Sequence, residues 1–171
     1  MAERARQIVE AARELLEKEG ADALTMRRIA DRLGIRAPSL YKHFPDKQAV
    51  ELELIAQGLQ EQAEALMAAT EDEQPLVALG AAYRAYALAH PHLYRLMTAG
   101  PLPRHLLPDG LEARAALPLV RIVPDEHRAR ALWAFAHGMV ILELDGRFPP
   151  DADLDGAWRV GLAAFAQVAA R

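Results

Sequence analysis

Between Thr25 and Lys47 the chain reads TMRRIADRLGIRAPSLYKHFPDK, a run that leaves little choice but two short helices joined by a tight turn. Met26, Ile29, Ala30 and Leu33 recur at i, i+3, i+4 and i+7, one side of a helix, and Thr25 stands ahead of them as an N-cap. Gly34 follows the last periodic residue, where the chain needs a left-handed backbone that only glycine adopts without steric cost. After Ile35, Arg36 and Ala37 comes Pro38, its φ pre-set for a first helical turn and with no amide hydrogen to leave unpaired. A second helix is therefore expected to carry Ser39, Leu40, Tyr41, Lys42 and His43. Two such helices across a glycine turn make a helix-turn-helix.

The second helix has an outward side suited to nucleic acid. Leu40 and Phe44, at i and i+4, pin its inner side and leave Pro38, Ser39, Lys42 and His43, with Tyr41 beside them, facing out. None of these is acidic. Lys42 and Lys47 offer ammonium groups to phosphate, and Ser39 and Tyr41 offer hydroxyls to phosphate or base edges. The Pro38 ring or the Ala37 methyl suits a thymine methyl. Arg27 and Arg28, in the first turn of the preceding helix, are placed to reach flanking phosphates, and Arg36 stands at the entry to the second helix. A solvated hairpin in an all-helical core would account for the glycine turn alone, but not for the whole run.

The segment LGIRAPSLYKHFPDKQAV resembles the recognition segment of the TetR family of bacterial transcriptional regulators. The matching features are Thr25 opening the first helix, Ile29-Ala30 inside it, Leu33-Gly34-Ile35 at the turn, and Leu40-Tyr41 followed by His43-Phe44 and Lys47. The resemblance implies an all-α, TetR-like fold: an N-terminal three-helix DNA-binding domain over residues 1–46, then a helical ligand-sensing and dimerising body over 47–171. It also implies that Arg27, Ala37, Pro38, Ser39, Tyr41, Lys42, His43 and Lys47 lie at the DNA. Position 37 departs from some relatives, which place an amide side chain there. Ala37 cannot hydrogen-bond a base, so direct readout is expected to be thin. Trp133 and His137-Gly138, with the earlier HPHLYRLM segment, resemble the body of a TetR subgroup with a C-terminal Trp-His-Gly signature.

Charge distribution agrees with a local reading head. Residues 1–50 carry ten Lys and Arg against eight Asp and Glu, and the remainder ten against sixteen, within a net charge of −4. All three lysines, Lys18, Lys42 and Lys47, fall in the first part. The hydrophobic residues, 52% of the chain, lean on alanine and leucine, which favours helices throughout. With no cysteine, disulfide frameworks, thiolate zinc sites and cysteine nucleophiles are excluded. The first twenty residues interleave charge with apolar positions, unlike a signal peptide, and no apolar run reaches the length of a membrane span. A cytoplasmic protein without membrane association is expected.

Periodicity lays out the remaining helices. Ile8, Val9, Ala12, Leu15 and Leu16 form a stripe that Gly20 ends. Asp46 caps a long helix from Lys47 to about Ala69, the element through which, by the resemblance, head and body communicate. Pro75 opens a helix to about Ala89, His90-Pro91-His92 breaks it, and a short helix follows with Leu93, Tyr94, Leu96 and Met97. Pro118 interrupts the stretch from Leu111 to Val123, so a kink or mobile segment is expected there. Pro124-Asp125 opens the penultimate helix, and the last runs from about Asp153 to Ala170, with Leu154, Trp158, Gly161, Leu162, Phe165 and Val168 on one face.

These elements carry further expectations. Tyr83, Tyr86, Tyr94, Met97, Trp133, His137 and Met139 are expected near an apolar effector pocket, because wide aromatics and flexible Met suit an adaptable cavity, although each is equally suited to plain core. Gly138 and Gly161, each in mid-helix at a propensity cost of about 1 kcal/mol, suggest close helix approach. A homodimer built on the two closing helices is expected, with Trp158, Leu162 and Phe165 at or beside the contact. His90, His92 and His105 lack a carboxylate at ligand spacing, so no metal and no cofactor is expected. No phosphate loop or nucleophile elbow is present, and no catalytic residue is assigned. The function expected is a ligand-responsive transcriptional regulator: a repressor that binds a palindromic double-stranded DNA operator as a dimer until a small molecule releases it. The alternative is a helical protein–protein adaptor with a degenerate DNA-binding head.

Overall fold

Capping residues and prolines set the element boundaries. In the computed structural model, which describes residues 3–166, nine α-helices run in order: α1 (Glu3–Glu19), α2 (Met26–Arg32), α3 (Ala37–Leu40), α4 (Lys47–Ala69), α5 (Pro75–Ala89), α6 (Pro91–Thr98), α7 (Leu111–Ile122), α8 (Glu126–Leu144) and α9 (Leu154–Ala166). Among the described residues the chain is all-α, as its composition predicts. Asp46 Oδ1 accepts from the Ala49 amide at 2.8 Å, and Asp125 Oδ1 from the Arg128 amide at 2.8 Å, each satisfying a donor that the first helical turn leaves open. Val168 and Ala170 lie outside the described residues.

The chain divides into two compact units, one running to Leu59 together with His90–Leu111, the other holding Gln60–Ala89 and the chain from Glu112 on. In the first, α1 packs against α2 and α6, and α2 against α3. Its core is apolar: Ile8, Leu16, Leu24, Ile29, Leu40, Val50, Leu54, Leu93 and Tyr94 are fully buried. A satellite cluster of Ile55, Leu107 and Leu111 is lined by Leu52, Leu59, Leu96 and Leu102. In the second unit α5 packs against α8 and α9, and α8 against α9. Phe135 stands edge-on to Trp158, with ring centroids 5.6 Å apart, and 5.9 Å from Phe165.

Two local expectations are corrected. α3 spans only four residues; Tyr41–His43 continue as a turn, with the His43 and Phe44 amides donating to the Leu40 carbonyl at 2.8 and 3.0 Å. Pro45 accounts for this, since the residue before a proline is pushed out of the α region and the helix must end by Phe44. Conversely, Pro118 does not break α7, which runs through it to Ile122, and the proline is fully buried. Burial of the ring offsets the one backbone bond it cannot make.

Polar chemistry also ties the second unit together. The half-buried Arg84 of α5 donates from Nε and Nη2 to the two carboxylate oxygens of Glu143 on α8, at 2.8 and 2.7 Å, and also bonds Asp155 of α9. The Glu143 contact leads the causes that raise the arginine pKa further above its ordinary value. Glu143 is mostly covered whereas the Asp155 side chain is 79% exposed, so the two partners should differ in weight. Glu143→Ala is expected to lower unfolding free energy by about 1.5–3 kcal/mol, the range for a charge-assisted hydrogen bond. Asp155→Ala should change it by less than about 0.5 kcal/mol. Urea unfolding of the two variants measures the contrast.

Candidate nucleic-acid interface

A four-residue helix cannot fix its own direction, so the interface is built by what surrounds it. Thr25 Oγ1 accepts from the Arg28 amide at 3.2 Å and starts α2. At the other end Gly34 takes φ +64°, the Gly34 amide donates to Asp31 O at 3.1 Å and the Ile35 amide to Ala30 O at 3.0 Å. This is the paired-bond helix ending that the glycine predicted. Arg36 then stands extended as N-cap of α3, and Pro38 falls in its first turn. Leu40 at 0% and Phe44 at 6% exposure are anchored in the core.

The other side chains from Arg36 to Lys47 lie wholly or partly at the surface. Arg36, Pro38, Ser39, Lys42 and His43 are exposed, Ala37 and Lys47 half-buried, and the Tyr41 ring 51% exposed. Lys47 Nζ lies 3.0 Å from Glu51, one turn along α4, an ion pair weak enough for phosphate to replace. The Arg27 side chain is 89% exposed, with its Nε 4.0 Å from Asp31. Residues 36–45 hold no acid, so a continuous surface of hydroxyls, cations and a proline ring faces solvent. Arg28 stands apart from this set: its Nη2 donates to both carboxylate oxygens of Glu19 at 2.8 Å, leaving that carboxylate, not open solvent, as its partner.

The residues expected at an effector pocket divide between the units. Tyr94 and Met97 are buried in the first, where the neighbouring His90 Nδ1 lies 2.9 Å from Glu17 of α1. In the second, Tyr83 and Tyr86 are buried, His137 and Met139 half-buried, and Trp133 is 54% exposed with its ring 6.3 Å from His137. The buried stripe of α8 is Leu132, Ala136 and Val140, which its spacing picks out, with Ala129, which that spacing left out. Reading by composition also missed Glu61, which accepts from the Tyr86 hydroxyl at 3.2 Å, and Gln62, whose Nε2 is buried without a hydrogen-bond partner. Both are ordinary polar residues of a long helix, with no motif to mark them. Among the described residues, no three His, Asp or Glu side chains gather as a metal site would require.

The expected dimer residues are likewise distributed. Trp158 and Leu162, at 5% and 3% exposure, are covered by their own chain, and Phe165 is half-buried beside Phe135. A Cβ at Gly161 would lie 2.1 Å from the Phe135 ring, so that glycine serves packing between α9 and α8 within the chain. A Cβ at Gly138 would meet nothing within 4 Å. Among the described residues the large apolar side chains exposed on these helices are Trp133, Leu142 and Val160, the last at 73%.

Comparison with known proteins places this geometry in context. The family profile described as "Bacterial regulatory proteins, tetR family" matches residues 8–54, and the profile "Tetracyclin repressor-like, C-terminal domain" matches residues 76–165. An uncharacterized HTH-type transcriptional regulator of Mycobacterium tuberculosis is 30% identical over 167 residues, covering 88% of this chain and 74% of that protein. The tetracycline repressor protein class A from transposon 1721 of Escherichia coli is 42% identical over 52 residues, 30% of this chain and 24% of that one. Among solved structures, a TetR variant from Acinetobacter baumannii AYE in complex with minocycline superposes with a TM-score of 0.66 at 25% identity, covering 96% of this chain and 97% of that one.

One titration follows from the geometry. Partial burial holds the His137 imidazole below its ordinary pKa, so the folded chain takes up a proton less readily than the unfolded one. Stability linked to His137 is therefore complete above the ordinary histidine range of about 6.5 and declines as pH falls below it. Between about pH 7.5 and about pH 5.5 the wild type is expected to lose more stability than His137→Gln, measured by urea unfolding.

Proposed function

The chain belongs to the TetR family of bacterial regulatory proteins, and from that premise we propose that it is a repressor that holds a palindromic operator as a homodimer and is released by a small molecule. The observation that carries this reading is the outward run from Arg36 to Lys47, unbroken by acid until Asp46, on a segment pinned from beneath by Leu40 and Phe44. Arg27, Arg36, Lys42 and Lys47 neutralise phosphates, Ser39, Tyr41 and His43 hydrogen-bond backbone or base edges, and Ala37 and Pro38 offer apolar surface to thymine methyls. Residues 1–46 serve as the DNA-binding domain and 47–171 as the sensing and dimerising domain. The site of action is the cytoplasm, and no catalytic step is assigned to any residue.

A single recognition helix reads one half-site, whereas a two-fold dimer sets two of them about 34–36 Å apart, in successive major grooves. The contact we propose uses the outer faces of α8 and α9, where Trp133, Leu142 and Val160 are exposed and Gly138 leaves room for a neighbour. Trp158, Gly161, Leu162 and Phe165 stand behind that face and hold the helix pair together. The effector is a small, largely apolar molecule with a few polar groups, and the neighbour solved with minocycline supports a small-molecule effector as such. Tyr83, Tyr86, His137 and Met139 are its proposed contacts in the second unit, with Glu61 beside Tyr86 as a polar partner. To act as a switch it must favour the DNA-incompetent state by about 1–3 kcal/mol.

Lys47→Ala is expected to weaken operator binding and to lower the slope of log K against log salt by about one unit, while Tyr41→Ala weakens binding with helicity intact. Unchanged affinity and slope in Lys47→Ala, measured by fluorescence anisotropy across a salt series, would remove this docking. Val160→Asp places a charge at the centre of the proposed contact, and light scattering at micromolar concentration should show a folded monomer. A fully dimeric Val160→Asp would put the interface elsewhere.

A further inference from the structure

Arg28 and Arg32 lie one turn apart on α2, and each meets a carboxylate of α1. Arg28 Nη2 is 2.8 Å from both oxygens of Glu19, and Arg32 donates from Nε to Glu14 Oε2 at 2.7 Å, with a second, shorter contact from Nη2 to the same oxygen. Both ends of α2 are thus tied to the last two turns of α1. Arg28 sits in the first turn of α2, where a cation opposes the positive end of the helix dipole, and a carboxylate beside it reverses the local sign. The Glu19 carboxyl is held below its ordinary pKa, first by the Arg28 hydrogen bond. Arg27, the neighbouring cation, is in contrast almost wholly exposed.

We infer that Arg28 and Arg32 are positioning residues for DNA reading: through Glu19 and Glu14 they set the angle of α2 on α1, and with it the direction of Tyr41, Lys42 and His43, rather than neutralising phosphate. The inference rests on the DNA-reading assignment above. Only a glycine turn and a four-residue helix separate α2 from the outward side chains, so a small rotation of a seven-residue helix moves all of them together. The pairs are exposed, with side-chain accessibilities of 42% and 38% for Arg28 and Glu19, and 41% and 53% for Arg32 and Glu14. Exposed pairs of this kind contribute little to global stability. Their effect on affinity is bounded in the same way, at about two- to fivefold for each.

The sign of one substitution separates the two roles. Taking a negative charge off a DNA-reading unit should tighten binding by long-range electrostatics, and should free Arg28 for phosphate if phosphate is its target. A positioning role demands the reverse. The experiment uses the full chain and a duplex selected from a randomised pool by the wild type, with anisotropy measured across a salt series. Glu19→Gln and Arg28→Gln should each weaken binding by about two- to fivefold with the salt slope unchanged, and the double variant should be no weaker than either single one. Glu14→Gln and Arg32→Gln form a second, independent pair with the same expectation. Tighter or unchanged binding in Glu19→Gln, or a slope lowered by about one unit in Arg28→Gln, would overturn the inference. Lys47→Ala on the same duplex is the control: if it changes neither affinity nor slope, or if the wild type selects no duplex, the DNA reading itself fails and this inference falls with it.

Discussion

The outward run from Arg36 to Lys47 depends on the burial of two side chains, Leu40 and Phe44. A four-residue helix has no stability of its own, because nucleating a turn costs more than its few hydrogen bonds return. Its place is instead imposed by one leucine at 0% exposure, one phenylalanine at 6%, and a glycine turn that admits a single chain direction. With those fixed, the residues between and beside them have no inward course left. Outward exposure of Ser39, Tyr41, Lys42 and His43 is thus a consequence of apolar packing, and the chemistry they offer costs the core nothing.

That arrangement joins the rest of the chain through α4, whose 23 residues extend about 35 Å, beginning in the first compact unit and ending in the second. The same helix carries Lys47 in its first turn and Glu61 and Gln62 in its later part. One helix thus carries both a cation proposed for DNA and two half-buried polar side chains, Glu61 and Gln62. Gln62 Nε2, buried without a partner, is a cost that a native chain rarely leaves uncompensated.

Much of this was legible in the sequence, and the limits have physical causes. Thr25, Gly34, Asp46 and Asp125 act locally, on amides or dihedrals a few residues away, so their positions alone located helix ends that the structure keeps. The length of α3 was equally local, but its signal is Pro45 acting on Phe44, and the hydrophobic pair at i, i+4 drew the helix too far. Pro118 shows the opposite case, a local rule overridden by burial. What no periodic pattern carries is the partner of an exposed charge: Arg28 looked like a free cation until the fold brought Glu19, nine residues earlier, beside it. Trp133 and Gly161 were ambiguous for a related reason, since helices apolar on most sides do not declare which side their own chain will cover.

The central claim is that a dimer reads duplex DNA through residues 25–47. Selection of binding sequences from a randomised duplex pool by the purified chain tests it most directly, because it presupposes neither operator nor effector. The account predicts enrichment of an inverted repeat whose half-site centres lie about 10–10.5 base pairs apart, or a multiple of that. A pool that stays random, or one enriched in a single unrepeated site, would contradict it.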